Sequence, residues 1–210
     1  ATDDCGNEGT CEQTINVDDN TPPVITCPAD LDVEGCDITA LMPGVEAMNG
    51  TVGGTNVGGN SSWADGIVGD AVGSLTANVA GAPMNATVTG VTVNVELSHS
   101  WVGDLGIELV SPDGVVIELM APDDCNINSD NVSATFSDAG VANPCNAGVT
   151  TVGPHENCLG DFAVGASVDG IVLPNVLLST LNGGTVNGVW TVNVSDDTGG
   201  DGGCLENITV

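Results

Sequence analysis

From Val91 to Ser98 the chain alternates without a break: Val91, Val93, Val95 and Leu97 are apolar, and Thr92, Asn94, Glu96 and Ser98 are polar. Successive side chains of an extended strand point to opposite faces, so this run buries one face and wets the other. The same period recurs downstream. Leu105, Ile107 and Leu109 form a second inward face, the turn Ser111-Pro112-Asp113-Gly114 follows, and Val115, Ile117 and Leu119 form a third. Trp190, Val192 and Val194 repeat the pattern ahead of a last strand over 205–210. Short strands punctuated by turn residues predict an all-β fold, an antiparallel β-sandwich.

Val, Thr, Gly and Asn dominate the composition, which favours pleated strands and tight turns over helices. The longest apolar stretch, GIVLPNVLL at 170–178, is too short to span a bilayer and is interrupted by Pro174.

Charge narrows the partners. The 210 residues include 29 acidic side chains and not one lysine or arginine. No carboxylate can pair with an ammonium or guanidinium of the chain, so neutralisation falls to solvent cations, calcium or sodium. Without basic residues to displace phosphate counterions, nucleic acid is disfavoured. Anionic membrane surfaces are disfavoured on the same ground.

The eight cysteines are Cys5, Cys11, Cys27, Cys36, Cys125, Cys145, Cys158 and Cys204. An even number in such a chain fits an oxidising, extracellular setting and a processed piece of an exported protein. No Cys-x-x-Cys pair is present, and only His99 and His155 supply imidazole, which argues against zinc. Cys5 with Cys11 and Cys27 with Cys36 read as local staples, while the other four leave three connectivities open. Asn-x-Ser/Thr sequons at Asn49, Asn60, Asn85, Asn131, Asn193 and Asn207 make the chain a candidate glycoprotein.

Three regions are expected. Residues 1–36 read as two or three strands, residues 37–70 as a Gly-rich arm or linker, and residues 71–210 as the sandwich. Trp63, Met42 and Met48 favour an ordered arm over a solvated linker.

The stretch ATDDCGNEGTCEQTINV resembles the closing strands of a hyalin-repeat (HYR) module, an immunoglobulin-like sandwich, and DNTPPVITCPADLDVEGC resembles the opening of the next one. The middle of a module is missing between them. The resemblance therefore implies an N-terminal Ig-like strand arm with an unpaired edge, to be covered by the rest of the chain or by another copy of it through strand addition.

His99, Gly103-Asp104-Leu105, Ser111-Pro112-Asp113-Gly114, Gly188-Val189-Trp190 and Asp196 occur in the order and spacing of a second family. This part resembles the P domain (P/Homo B) that follows the catalytic domain in subtilisin-like proprotein convertases. The resemblance implies an eight-stranded, jelly-roll-like β-sandwich without catalytic activity of its own, with Ile208 standing where the family usually has tryptophan. The residues agree with that reading. His99, Ser100 and Asp104 lie along one strand and its turn, and neighbours on a strand face opposite ways, so they do not form a nucleophilic triad.

Some P domains bind calcium, and the resemblance places a ligand at Asp104, with Asp196, Asp197 and Asp201 in the Gly-rich turn. APDDCNINSDN adds Asp123, Asp124, Asn126, Asn128, Asp130 and Asn131 as a cluster of oxygen donors suited to calcium. The expected function is a structural subunit of an extracellular bacterial surface assembly or filament, with copies joined by donor-strand pairing. The alternatives are an accessory P domain released from a secreted subtilisin-like protease, or a carbohydrate-binding module for cell adhesion built on Trp63, Trp101, Trp190, Phe136 and Phe162.

Overall fold

The computed structural model describes residues 3–10, 12, 50–56, 58–125, 128–142, 145–151, 154–158, 162 and 165–210. The chain divides into two compact units, Ala1–Met48 and Asn49–Val210. In the first, Asp3 organises an exposed turn. Its carboxylate accepts the backbone N–H groups of Cys5 at 3.0 Å and Asn7 at 2.9 Å, and the Asn7 side-chain amide at 3.0 Å. Gly6 takes a left-handed φ of 82° to close it. The remaining residues that carry the hyalin-repeat resemblance lie outside the described ones.

The second unit contains nine strands among its described residues: β1 (Ser61–Trp63), β2 (Gly69–Val79), β3 (Val93–His99), β4 (Leu105–Val110), β5 (Val116–Met120), β6 (Val132–Val141), β7 (Val168–Val172), β8 (Gly188–Asp196) and β9 (Gly203–Thr209). They form a five-stranded sheet in the order β1-β9-β3-β6-β7 and a four-stranded sheet in the order β2-β8-β4-β5. The resemblance implied eight strands. The additional short strand β1 lies in the stretch read as an arm, where Ser61, Ser62 and Trp63 pair with Leu205, Cys204 and Gly203 of β9.

The alternation in sequence becomes the core. Val93, Val95 and Leu97 of β3, and Leu105, Ile107 and Leu109 of β4, are completely buried. Ile117, Leu119, Trp190, Val192, Val194, Phe136 and Ile208 join them. Each such side chain contributes about 1.5–3 kcal/mol by leaving water, which is why the two inner faces dictate the register. Val115 departs from its expected inward place. It follows the Ser111–Gly114 turn just ahead of β5, where its N–H donates to the Ser111 hydroxyl and its C=O accepts the Ser111 N–H, and it is 41% exposed.

Not every pair is antiparallel, because β6 and β7 run parallel. A parallel partner needs a crossover of a dozen or more residues, and residues 142–167 between the two strands supply it.

A remote carboxylate fixes the short 3₁₀ turn Leu178–Leu181. Asp138 accepts the N–H groups of Leu178 at 2.7 Å and Ser179 at 2.8 Å. Desolvation opposes ionisation, but these bonds outweigh it and hold the carboxyl below its ordinary value of 3.8. A group depressed in the folded state stabilises above its unfolded pKa and loses that contribution as pH falls through the folded one. Asp138→Ala is therefore expected to cost about 1 kcal/mol or less at pH 7, the range of a solvent-screened capping interaction. The difference from wild type should shrink in melts taken toward pH 3.

Candidate functional site: the His99 end of the sandwich

The sequence stretch richest in chemical groups ends β3 at His99. Its imidazole is completely buried, and its Nε2 lies 3.2 Å from Asp196 Oδ2 at the end of β8. The same carboxylate oxygen accepts the indole N–H of Trp63 at 2.9 Å. The Trp63 and His99 rings stack with centroids 5.9 Å apart and planes 23° from parallel. Close packing fixes the stack from both sides. A Cβ at Gly203 would sit 2.4 Å from Trp63 and 2.8 Å from His99, and one at Gly73 would sit 2.9 Å from Trp63.

These three residues come from β1, β3 and β8, so the site exists only when both sheets are closed. Burial alone would push the His99 imidazole down. The hydrogen bond and charge of Asp196 outweigh burial, with Asp201 and the Trp101 carbonyl adding, and raise its pKa above 6.5. For Asp196, burial pushes up, but the bonds from His99 and Trp63 win and hold the carboxyl below 3.8. The arrangement is a buried imidazole–carboxylate pair clamped by an indole.

A hydrolytic triad would put a hydroxyl on this imidazole, and neither neighbouring serine supplies one. Ser98 donates to Glu206 and Ser100 donates to Asp201. Asp104 lies in the adjoining 3₁₀ turn Val102–Asp104 rather than on the ring. The second histidine, His155, sits 3.7 Å from Asp130 and 3.4 Å from the Thr151 hydroxyl, which itself donates to Asp130 at 2.9 Å. Burial keeps its pKa below the ordinary value.

Several of the carboxylates expected as calcium ligands have hydrogen-bond partners of the chain itself, and Asp196, Asp197 and Asp201 lie near enough to Asp104 to act on it by charge. Asp124 accepts the Ala121 N–H at 2.7 Å and the Asn175 amide at 2.6 Å. Asp130 is bonded to Thr151, Asp196 to Trp63, His99 and the Thr198 N–H, and Asp197 to the Thr198 hydroxyl. Asp123 occupies a left-handed φ of 68° with its N–H on the Gly103 carbonyl, Asn128 is exposed, and Asn126 lies outside the described residues. Among the described residues, no three His, Cys, Asp or Glu side chains are placed to hold a metal ion.

Asp104 carries the remaining electrostatic tension. Desolvation, reinforced by the charges of Asp201, Asp196 and Asp197 and opposed by His99, raises its carboxyl to about 6. A carboxylate raised on folding destabilises the fold above that pH and does so less as pH falls toward its unfolded value. Asp104→Asn is therefore expected to stabilise the sandwich by about 1 kcal/mol at pH 7 after allowance for solvent screening. Melts in chelator should show the gain vanishing near pH 4. A parallel series with calcium reports on a cation at Asp104, since only the wild type would then gain.

Disulfides join Cys125 to Cys145 and Cys158 to Cys204, with Cα atoms 5.3 and 5.2 Å apart. This selects one of the three open connectivities and fits an oxidising, extracellular setting. Cys5 is exposed and bonded to no described cysteine, while Cys11, Cys27 and Cys36 lie outside the described residues. Of the sequon asparagines, Asn60 and Asn85 are exposed, Asn131 is buried, Asn193 and Asn207 lie in β8 and β9, and Asn49 lies outside the described residues. The aromatic groups offered for a sugar platform are mostly internal: Trp63, Phe136 and Trp190 are buried, and Trp101 is 37% exposed. Among the described residues no helix is long and apolar enough to cross a membrane.

Sequence reasoning missed the role of Trp63. The available signal was a lone tryptophan in a glycine-rich stretch, which indicated order but not its partner.

Comparison with known proteins bears on the second unit. No curated protein matches the chain. Among solved structures, a chain in the crystal structure of Aeromonas sobria serine protease with the chaperone ORF2 aligns at a TM-score of 0.38 and 19% identity. That alignment covers 75% of this chain and 25% of the other, so this chain spans about a quarter of that one's length. No comparison supports the hyalin-repeat resemblance of residues 1–36. The family model described as the proprotein convertase P-domain matches residues 88–210, the stretch holding His99, Asp104, the Ser-Pro-Asp-Gly turn, Trp190 and Asp196. The chain belongs to the proprotein convertase P-domain family.

Proposed function

We propose that this chain is the P-domain part of a secreted subtilisin-like protease, where it acts as an accessory module that packs on the catalytic domain and stabilises it. The observation that carries this reading is the family match over 88–210. The buried state of His99 supports a scaffolding rather than a hydrolytic role, since its imidazole is committed to Asp196 and Trp63. Strand exchange between copies finds no such support. The segment to be exchanged, residues 1–36, is described only at 3–10 and 12.

Sequencing the transcript around this coding region and expressing what it encodes provides the test. A subtilisin-like catalytic domain should stand in the same reading frame, and deleting residues 49–210 should abolish its secreted activity. A transcript with no protease domain, or a protease equally active after the deletion, would sink the proposal.

A further inference from the structure

Five of the six sequon asparagines lie among the described residues, and the fold sorts them into two kinds. Asn131 is 1% exposed, and its side-chain oxygen accepts the His99 N–H at 3.2 Å. Asn193 stands in β8 between β2 and β4, with its side-chain oxygen on the Ser74 hydroxyl at 2.9 Å. Asn207 stands in β9 between β1 and β3. The middle residues of these last two sequons, Val194 and Ile208, are completely buried. A modifying enzyme would have to pull a core side chain out of a central strand to reach either asparagine.

Asn60 and Asn85 differ in every one of these respects. Asn60 is exposed just ahead of the edge strand β1, and Ser62, the hydroxyl residue of its sequon, is exposed as well. Asn85 and Thr87 are exposed on the connection between β2 and β3, beside Met84 at 97% exposure. That connection is held in place. Ala82 exchanges hydrogen bonds of 3.0 and 2.8 Å with the Asn187 side chain, and Thr87 bridges Thr185. Next to the asparagine lies a hollow of about 370 Å³, lined by Met84, Asn85 and Thr87 on one side and Asp113 and Thr185 on the other. It leaves room for a first sugar.

We infer that Asn85 and Asn60 are N-glycan acceptors of the sandwich, and that Asn131, Asn193 and Asn207 are not. The donor is an oligosaccharide on a polyprenyl pyrophosphate. The Asn85 side-chain nitrogen forms a bond to the anomeric carbon, the bond from that carbon to the pyrophosphate oxygen breaks, and the amide proton passes to a base of the transferase. The lipid pyrophosphate departs and nothing is oxidised or reduced. A glycan on Asn85 covers the projecting Met84. One on Asn60 stands beside β1, where it hinders strand addition at that edge.

The test is secretion of the full chain, carrying Asn49→Gln, from a eukaryotic host that performs N-glycosylation. Two steps of mobility removable by endoglycosidase are expected, with site mapping to Asn60 and Asn85. Asn60→Gln removes one step, and either Asn85→Gln or Thr87→Val removes the other. An unmodified secreted chain, or sugar on Asn131, Asn193 or Asn207, would overturn the inference, and a single step would overturn it for the unmodified site.

Discussion

Asp196→Ala is expected to destabilise the sandwich by about 3–5 kcal/mol, the range for removing one partner of a buried charge pair. The single carboxylate oxygen serves both the Trp63 indole at 2.9 Å and the His99 imidazole at 3.2 Å. Its loss strands two buried donors and an imidazole whose charged form no longer has a counter-ion. At about 2–4 °C per kcal/mol for a domain of this size, Tm should fall by about 6–20 °C.

The pH profile makes the prediction sharper. His99 is raised above 6.5, so its contribution is complete below that pH and lost as pH rises through its folded value. Asp196 is depressed below 3.8, so its contribution is complete above that pH and lost as pH falls through its folded value. The pair therefore stabilises most between 3.8 and 6.5. Denaturant melts from pH 3 to 9 should show this hump in the wild type, and the gap between wild type and variant should be widest within it. A variant within 1 kcal/mol of wild type throughout would refute the clamp.

The second large effect concerns the two disulfides. Replacing Cys158 and Cys204 by serine reopens a loop with a sequence separation of 46, and replacing Cys125 and Cys145 reopens one of 20. Loop-closure entropy ranks them at about 4 and about 3 kcal/mol. Urea melts of the two double variants should preserve that order, with the Cys158–Cys204 pair the more damaging. Cys204 stands in β9 beside Gly203, which packs on Trp63 and His99, so the first variant should also alter tryptophan emission.

What could be read from the sequence was whatever repeats over short distances. The period of two placed Val93, Val95, Leu97 and Ile107 inward, and Ser111 to Gly114 became a turn with Gly114 at a φ of 78°. Both are local properties of the backbone. The clamp was hidden because Trp63 meets Asp196 across a separation of 133 residues, and no periodicity connects them. The parallel pairing of β6 and β7 was hidden for a related reason. Alternation fixes which face a residue occupies, not the direction in which the next strand returns. Which acids of the 121–131 loop are engaged by the chain itself was hidden as well, because that depends on nearby donors such as Ala121 and Thr151.

The position of β9 governs when this domain can be born. That strand lies between β1 and β3, although it is the last of the nine in chain order. A nascent polypeptide leaving the ribosome therefore holds a split sheet and an unclamped tryptophan until residues 203–209 have emerged. Vectorial synthesis therefore cannot complete the five-stranded sheet piecemeal: it closes only after its last strand has been made.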